Sequence, residues 1–213
     1  MGGHRCIIRC SILHKGCKLF FFLNYINLSK INWENRFKNW DYKNPSCVVD
    51  TTHTPVLAEK AVSPQQFWFF KHKCYALKYQ IVCSLRDSLI LLPSHGYPGS
   101  IHDFRIANIS GLDSKLEQQG EVCIGDKAYK GSYQFITPHK VSQNQPLNEQ
   151  QKQENKLLEK KRHIVENMNK RLKDWKVIDD VWRHKIEKHP KIFNVVAMIT
   201  NLDLYLHPLK KNL

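Results

Sequence analysis

Cys47-Val48-Val49-Asp50-Thr51-Thr52 is a short apolar run that delivers a carboxylate, and it begins just after Pro45 breaks the chain. Three apolar residues in a row, with no polar alternation, predict a strand covered on both faces inside an α/β sheet. The pattern returns at Val122-Cys123-Ile124, closed by Gly125-Asp126. Between them, Cys74 to Leu92 predicts two antiparallel strands with a turn near Arg86-Asp87. Gly96, Pro98 and Gly99 predict a loop, and Ser100 to Asn108 a short helix. Residues 143–153 form a polar, Gln/Asn-rich connection. A long helix is predicted from Glu149 to Trp175, with Leu157, Ile164, Val165, Met168, Leu172 and Trp175 in one stripe. Beyond Pro190, Ile192 to Leu206 predicts an apolar helix able to cover a sheet face. Strands first and helices later imply a mixed α/β domain over residues 46–213, behind a poorly patterned segment, residues 1–45.

At 213 residues the chain has room for one such domain with appendages. A hydrophobic content of 42% with 24% charged residues excludes wholesale disorder. The longest apolar run, Leu19 to Leu23, is far below the roughly 20 residues of a membrane helix, and no small-residue cleavage site follows it. No membrane association is therefore expected. The net charge of +14 is uneven. Residues 1–46 carry eight bases and two acids, residues 152–191 carry thirteen and seven, and the 105 residues between them are nearly balanced. Basic flanks around a neutral centre suggest a polyanionic partner, although a solvated basic surface reads the same way. Seven cysteines, an odd number, argue against a disulfide framework, and Cys83 and Cys123 read as buried thiols. His4, Cys6, Cys10, His14 and Cys17 match no standard zinc spacing.

The chemistry must come from acids. Asp50 and Asp126 each end a strand, and neighbouring strands would bring both to one sheet edge. Glu166, on the long helix, could add a third carboxylate. Three carboxylates share a site only when cations neutralise them, and hard oxygen ligands suit Mg²⁺ or Mn²⁺. Two such ions about 3.5–4 Å apart would activate a water and stabilise the leaving oxygen in phosphodiester cleavage. Simpler readings exist for each acid. Gly125-Asp126 can be a turn, and Ser100 with Asp103 can be a capping box. Glu166 lies four residues from both Arg162 and Lys170, and about 145° from the centre of the apolar stripe, as in a surface ion pair.

Several segments together resemble the catalytic domain of PIF/Harbinger-type DDE transposases and the harbinger transposase-derived nuclease, over about residues 46 to 209. They are Val48-Val49-Asp50-Thr51-Thr52-His53, Lys71 to Gln80, Pro98-Gly99-Ser100-Ile101-His102-Asp103 and Ile124-Gly125-Asp126-Lys127-Ala128-Tyr129-Lys130-Gly131. Asn155, Arg162-His163-Ile164-Val165-Glu166, His189-Pro190-Lys191-Ile192-Phe193 and Pro208-Leu209 follow in order. The resemblance implies an RNase H-like fold, a mixed five-stranded sheet flanked by helices, with acids on the first strand, the fourth strand and a late helix. It implies that Asp50, Asp126 and Glu166 are the catalytic triad and metal ligands, and that Asp103 assists the metals. The implied reaction frees a 3′-hydroxyl at a transposon end and then joins it to target DNA. Lys127, Lys130, Arg162 and Lys170 neighbour these acids in sequence and are candidate phosphate contacts, or else ordinary surface cations.

Two features depart from the family pattern. Thr51 stands where the family more often has glycine, and residues 1–45 hardly supply a helix-turn-helix-like DNA reader. Three readings follow: a metal-dependent DNA endonuclease or transposase domain, a truncated and inactive DNA-binding relic, and a module that recruits a separate DNA-binding subunit. DNA is the expected partner, a homo-oligomer is compatible, and a eukaryotic host would imply the nucleus, with Lys160-Lys161-Arg162 as a weak basic patch.

Overall fold

The computed structural model describes residues 33, 44–57, 63–92, 94–141 and 146–209, the side chain of Tyr205 excepted. The cysteine and histidine cluster from His4 to Cys17 lies outside these residues. Two long strands make the frame: β1 (Cys47–Pro55) pairs antiparallel along its whole length with β3 (Cys74–Ser84), Asp50 opposite Ile81. β2 (Trp68–Phe69) follows a one-turn helix, α1 (Pro64–Phe67), and forms a hairpin with β3. β4 (Tyr97–Pro98) pairs with β3 farther along. Helices α2 (Asp103–Ile109) and α3 (Leu112–Gln119) lead to β5 (Cys123–Ile124), which lies parallel to β1. β6 (Phe135–Ile136) extends the sheet parallel to β5. The long helix α4 (Glu149–Lys173), the short α5 (Lys176–Asp179) and the closing α6 (His189–Leu206) complete the domain.

The strand order is β2-β3-β1-β5-β6, with β4 on β3, a mixed six-stranded sheet where five strands are expected from sequence. The strand outside the five-strand order, β4, is only two residues long, so it gives no periodic signal. It also makes β5, not a fourth strand, the carrier of Asp126. The architecture is α/β and consistent with the RNase H-like fold.

Alternation along β1 sorts the core into two layers. Val48 faces one side with Tyr79, Ile81, Cys83 and Ile124, beneath Val165, Met168 and Leu172 of α4 and Phe193, Val196 and Ala197 of α6. Cys47 and Val49 face the other side with Val82 and Cys123, beneath Ala107, Leu112 and Leu116 of α2 and α3. A strand covered on both faces needs no polar alternation, which is why the apolar run is readable from sequence. Cys83 and Cys123 are fully buried free thiols, as expected.

The helices are placed with small corrections. α4 starts at a capping box in which Asn148 accepts from the Gln151 amide and the Gln151 side chain accepts from the Asn148 amide. Leu157, expected in its apolar stripe, is 55% exposed, and Leu158 is buried in its place. The second strand expected near Leu89 to Leu92 is reduced to a bridge, Cys83 to Ile90, flanked by backbone bonds from Ser84 to Leu89 and from Leu91 to Val82. α6 begins at His189, three residues before the expected start, because Pro190 occupies the first turn where no donor is needed. His189 fastens this helix: Tyr79 donates to its Nδ1 at 2.5 Å, and its Nε2 donates to the Val177 carbonyl at 3.0 Å. Asn155 has a similar role, bonding both the amide and the carbonyl of His139 and pinning that segment to α4. Among the described residues no helix is long and apolar enough to cross a membrane.

Candidate active site

Asp50 sits in the middle of the frame because β1 continues through it to Pro55. Its Oδ1 accepts from the Thr51 amide at 2.8 Å, and its Oδ2 accepts from Asn169 Nδ2 of α4 at 3.2 Å. Burial pushes its carboxyl up to about 6. The Thr51 bond opposes that rise, Asp126 adds to it, Arg162 opposes it and Asp103 adds to it. The three aspartates therefore share one electrostatic environment.

Asp126 follows β5 and caps the next turn, accepting from the Ala128 amide at 2.8 Å. The turn reading therefore holds for Asp126, and the cap fixes its carboxylate just beyond the strand end. Gly125 is needed here for space. A Cβ at this position would lie 2.8–2.9 Å from Cβ and ring atoms of Tyr129, a fully buried residue with no room to retreat. The Tyr129 hydroxyl is held well above its ordinary value by burial first, and then by Asp103, Asp50 and Asp126.

Asp103 does not form the capping box with Ser100. The N-cap of α2 is His102, which makes no side-chain bond, and Asp103 is instead held by Lys78 at 3.0 Å. Lys78 is almost wholly buried, donates also to the Ile101 carbonyl at 2.9 Å, and lies 4.6 Å from the centre of the Phe69 ring. A lysine buried inside a strand requires a partner, and the recruited carboxylate supplies it. Lys78→Met should cost about 2–4 kcal/mol, because it leaves a partly buried carboxylate unpaired. The double variant Lys78→Met/Asp103→Leu should recover most of that loss in urea denaturation. A single variant as stable as wild type would show that the pair contributes nothing.

Glu166 stands apart from the aspartates. Half-exposed on the flank of α4, it contacts Arg162 at 3.8 Å and His163 at 3.0 Å. The Arg162 pairing matches the surface reading, whereas among the described residues no ion pair joins Glu166 to Lys170. Glu166 lies one turn before Asn169, the residue that reaches Asp50, so it is on the adjoining part of that helix face. Of the candidate phosphate contacts, Lys127, Lys130 and Lys170 are exposed, and Arg162 is partly buried within electrostatic reach of Asp50.

Among the described residues, no three His, Cys, Asp or Glu side chains are drawn together as a metal cage would require. The donor set nevertheless fits a divalent ion. Mg²⁺ is usually held by one or two carboxylates together with substrate phosphates and water, not by an all-protein cage. Three buried polar atoms in this region have no hydrogen-bond partner: Asn169 Oδ1, Arg162 Nε and the Tyr129 hydroxyl. Buried polar atoms are normally satisfied, so these three stand out. A cavity of about 430 Å³ lined by Pro45, Ser46, Leu85 and Arg86 contains none of these acids.

The sequence singles out Asp50, Asp103, Asp126 and Glu166 as candidates but points to no role for Asn169, Lys78 or Tyr129. Lys78 carried a readable signal, a single charge deep in an apolar strand. Asn169 carried none beyond its i+3 spacing from Glu166. A sequence model of the DDE superfamily endonucleases matches residues 49–201, a span that contains all four acids. A curated relative, described as a probable transposase for insertion sequence element IS702 of Microchaete diplosiphon, is 32% identical over 163 residues. That alignment covers 75% of this chain and 57% of the relative, so the chain spans little more than half of that protein. No solved structure matches. By the extent of the family match, and by the acids it encloses, the chain belongs to the DDE superfamily endonucleases.

Proposed function

We propose that this domain cleaves and rejoins DNA phosphodiester bonds through a carboxylate-held pair of divalent ions, Mg²⁺ or Mn²⁺, as a transposase-type nuclease. The observation that carries the reading is Asp50. It is a partly buried carboxylate pushed up to about 6, with two further aspartates in its field. A protein tolerates such repulsion where a cation is to be bound. Divalent ions held there would activate the attacking water or hydroxyl and stabilise the leaving oxygen.

The chain's own residues divide the remaining work. Asp50 and Asp126 would hold the ions, fixed respectively by β1 and by the cap on the turn that follows β5. Asn169 orients Asp50, and Lys78 holds Asp103 in place. Arg162, with Lys127, Lys130 and Lys170, would neutralise the phosphates of the bound strand, fixing register without reading bases. Glu166 would close the triad by leaving Arg162 and His163 and turning toward Asp50. On this reading Glu166→Gln lowers Mn²⁺-dependent nicking of supercoiled DNA by roughly a hundredfold, with DNA affinity unchanged. Nicking at the wild-type rate would remove Glu166 from the triad and leave it a surface ion-pair residue.

The motif resemblance supports a Harbinger-type member, and the same reading would place it in the nucleus of a eukaryotic host. A second copy or a separate DNA-binding subunit would be the protein partner. The competing reading of an inactive DNA-binding relic is favoured by one observation, the engagement of Glu166 away from the aspartates. Under it, DNA binding survives loss of the acids and no nicking appears.

A further inference from the structure

The β2–β3 hairpin is the most unusual surface of the domain. Residues 63–86 contain no acid and four bases, Lys71, Lys73, Lys78 and Arg86. At the tip, Phe70 is 76% exposed, and Lys71, His72 and Lys73 are exposed beside it. Phe70 is thus an exposed aromatic ring directly beside a run of exposed basic residues. Behind the tip, Trp68 and Tyr75 pack edge to face at 5.2 Å, and His72 stacks on His53 of β1 at 4.2 Å.

The hairpin is also firmly mounted. The Ser100 amide donates to the Gln66 carbonyl at 3.1 Å. Gly99 passes so close that a Cβ would lie 2.5 Å from the Phe67 carbonyl oxygen and 3.1 Å from Phe69 Cβ. Any side chain there would push the hairpin off the loop that leads to Asp103. Phe69 in turn lies against Lys78, the partner of Asp103. Tip and acids thus belong to one rigid frame.

From this geometry we infer that the hairpin tip grips the DNA flank beside the cleavage site, Lys71 and Lys73 on phosphates and Phe70 stacked on an unpaired base. The inference rests on the proposed DNA substrate. Charge complementarity selects the partner: an acid-free basic tip suits a phosphate backbone, and an exposed ring next to cations suits a base face. Position sets the contact point. Asp50 lies opposite Ile81, seven residues along β3 from Cys74, or roughly 23 Å at strand rise. The tip would meet the DNA about seven base pairs from the scissile phosphate.

The test is fluorescence anisotropy in EDTA, with a labelled mixed-sequence duplex and the same duplex carrying a short unpaired bubble. Lys71→Ala/Lys73→Ala should weaken binding of both probes and flatten the log-log salt slope by about 1.8. Phe70→Ala should weaken the bubble probe by about 5- to 150-fold with the salt slope unchanged. All three residues are exposed, so the fold is kept, and circular dichroism checks this. Variants that bind both probes as wild type does would overturn the hairpin contact and leave the nuclease reading standing, since Asp50→Asn still reports on cleavage. A wild-type protein that binds neither probe at low salt would overturn both.

Discussion

Asp50→Asn should abolish Mn²⁺-dependent nicking, by about a thousandfold or more, and at the same time make the metal-free protein more stable. The two effects have one cause. Burial and the neighbouring aspartates raise the Asp50 carboxyl from its ordinary 3.8 to about 6. The folded protein therefore binds this proton more tightly than the unfolded chain, and stability falls as pH rises across that window. Above pH 6 the ionised carboxylate costs up to about 3 kcal/mol. Asparagine is the neutral isostere. It still accepts from Thr51, and it removes both the charge and the cost. Urea denaturation in EDTA at pH 7 should show the gain, and the variant should lose the wild-type decline between pH 4 and 6. A variant less stable than wild type would mean that Asp50 is a structural partner of Asn169 and not a site held ready for a cation.

The second large effect lies away from the chemistry. Phe193 is 2% exposed and stacks on Tyr79 at 3.9 Å with the rings 7° apart. Tyr79 is the fully buried β3 residue whose hydroxyl bonds His189 at the start of α6. Phe193→Ala would empty a ring-sized space between sheet and closing helix, at a cost of about 3–5 kcal/mol. For a chain of this size that is roughly 10 °C in Tm. Phe193→Leu should recover most of it. The central strand β1 that carries Asp50 depends on this packing, so nicking should fall with the folded fraction at higher temperature and remain normal well below Tm.

What was legible in the sequence follows from how each signal arises. Val48, Val49 and Ile124 are covered on both faces, which produces a dense apolar run that ends where the strand meets the site. Asp50 and Asp126 were visible for that reason. The strands β2, β4 and β6 have two residues each, too few for any period to appear. Helix α3 has only Leu112 and Leu116 buried in an otherwise polar run, so its apolar face is too narrow to read. Leu157 and Leu158 are adjacent and equally apolar, and tertiary packing alone decided that Leu158 goes in. Asp103 looked like a cap because Ser100 precedes it by three residues. Its true partner, Lys78, is 25 residues away, and no local rule sees such a pair. Asn169 was invisible because an asparagine on a basic helix is unremarkable until the helix is laid across β1.

Whether Asp50 and Asp126 hold a divalent ion can be read from a Mn²⁺ thermal-shift titration of the wild type beside Asp50→Asn and Asp126→Asn. Ion at a hundred times its dissociation constant should stabilise the wild type by about 2.7 kcal/mol, and both variants should lose that gain while remaining folded. An unshifted wild type, or variants that respond as it does, would contradict an ion held by these two aspartates.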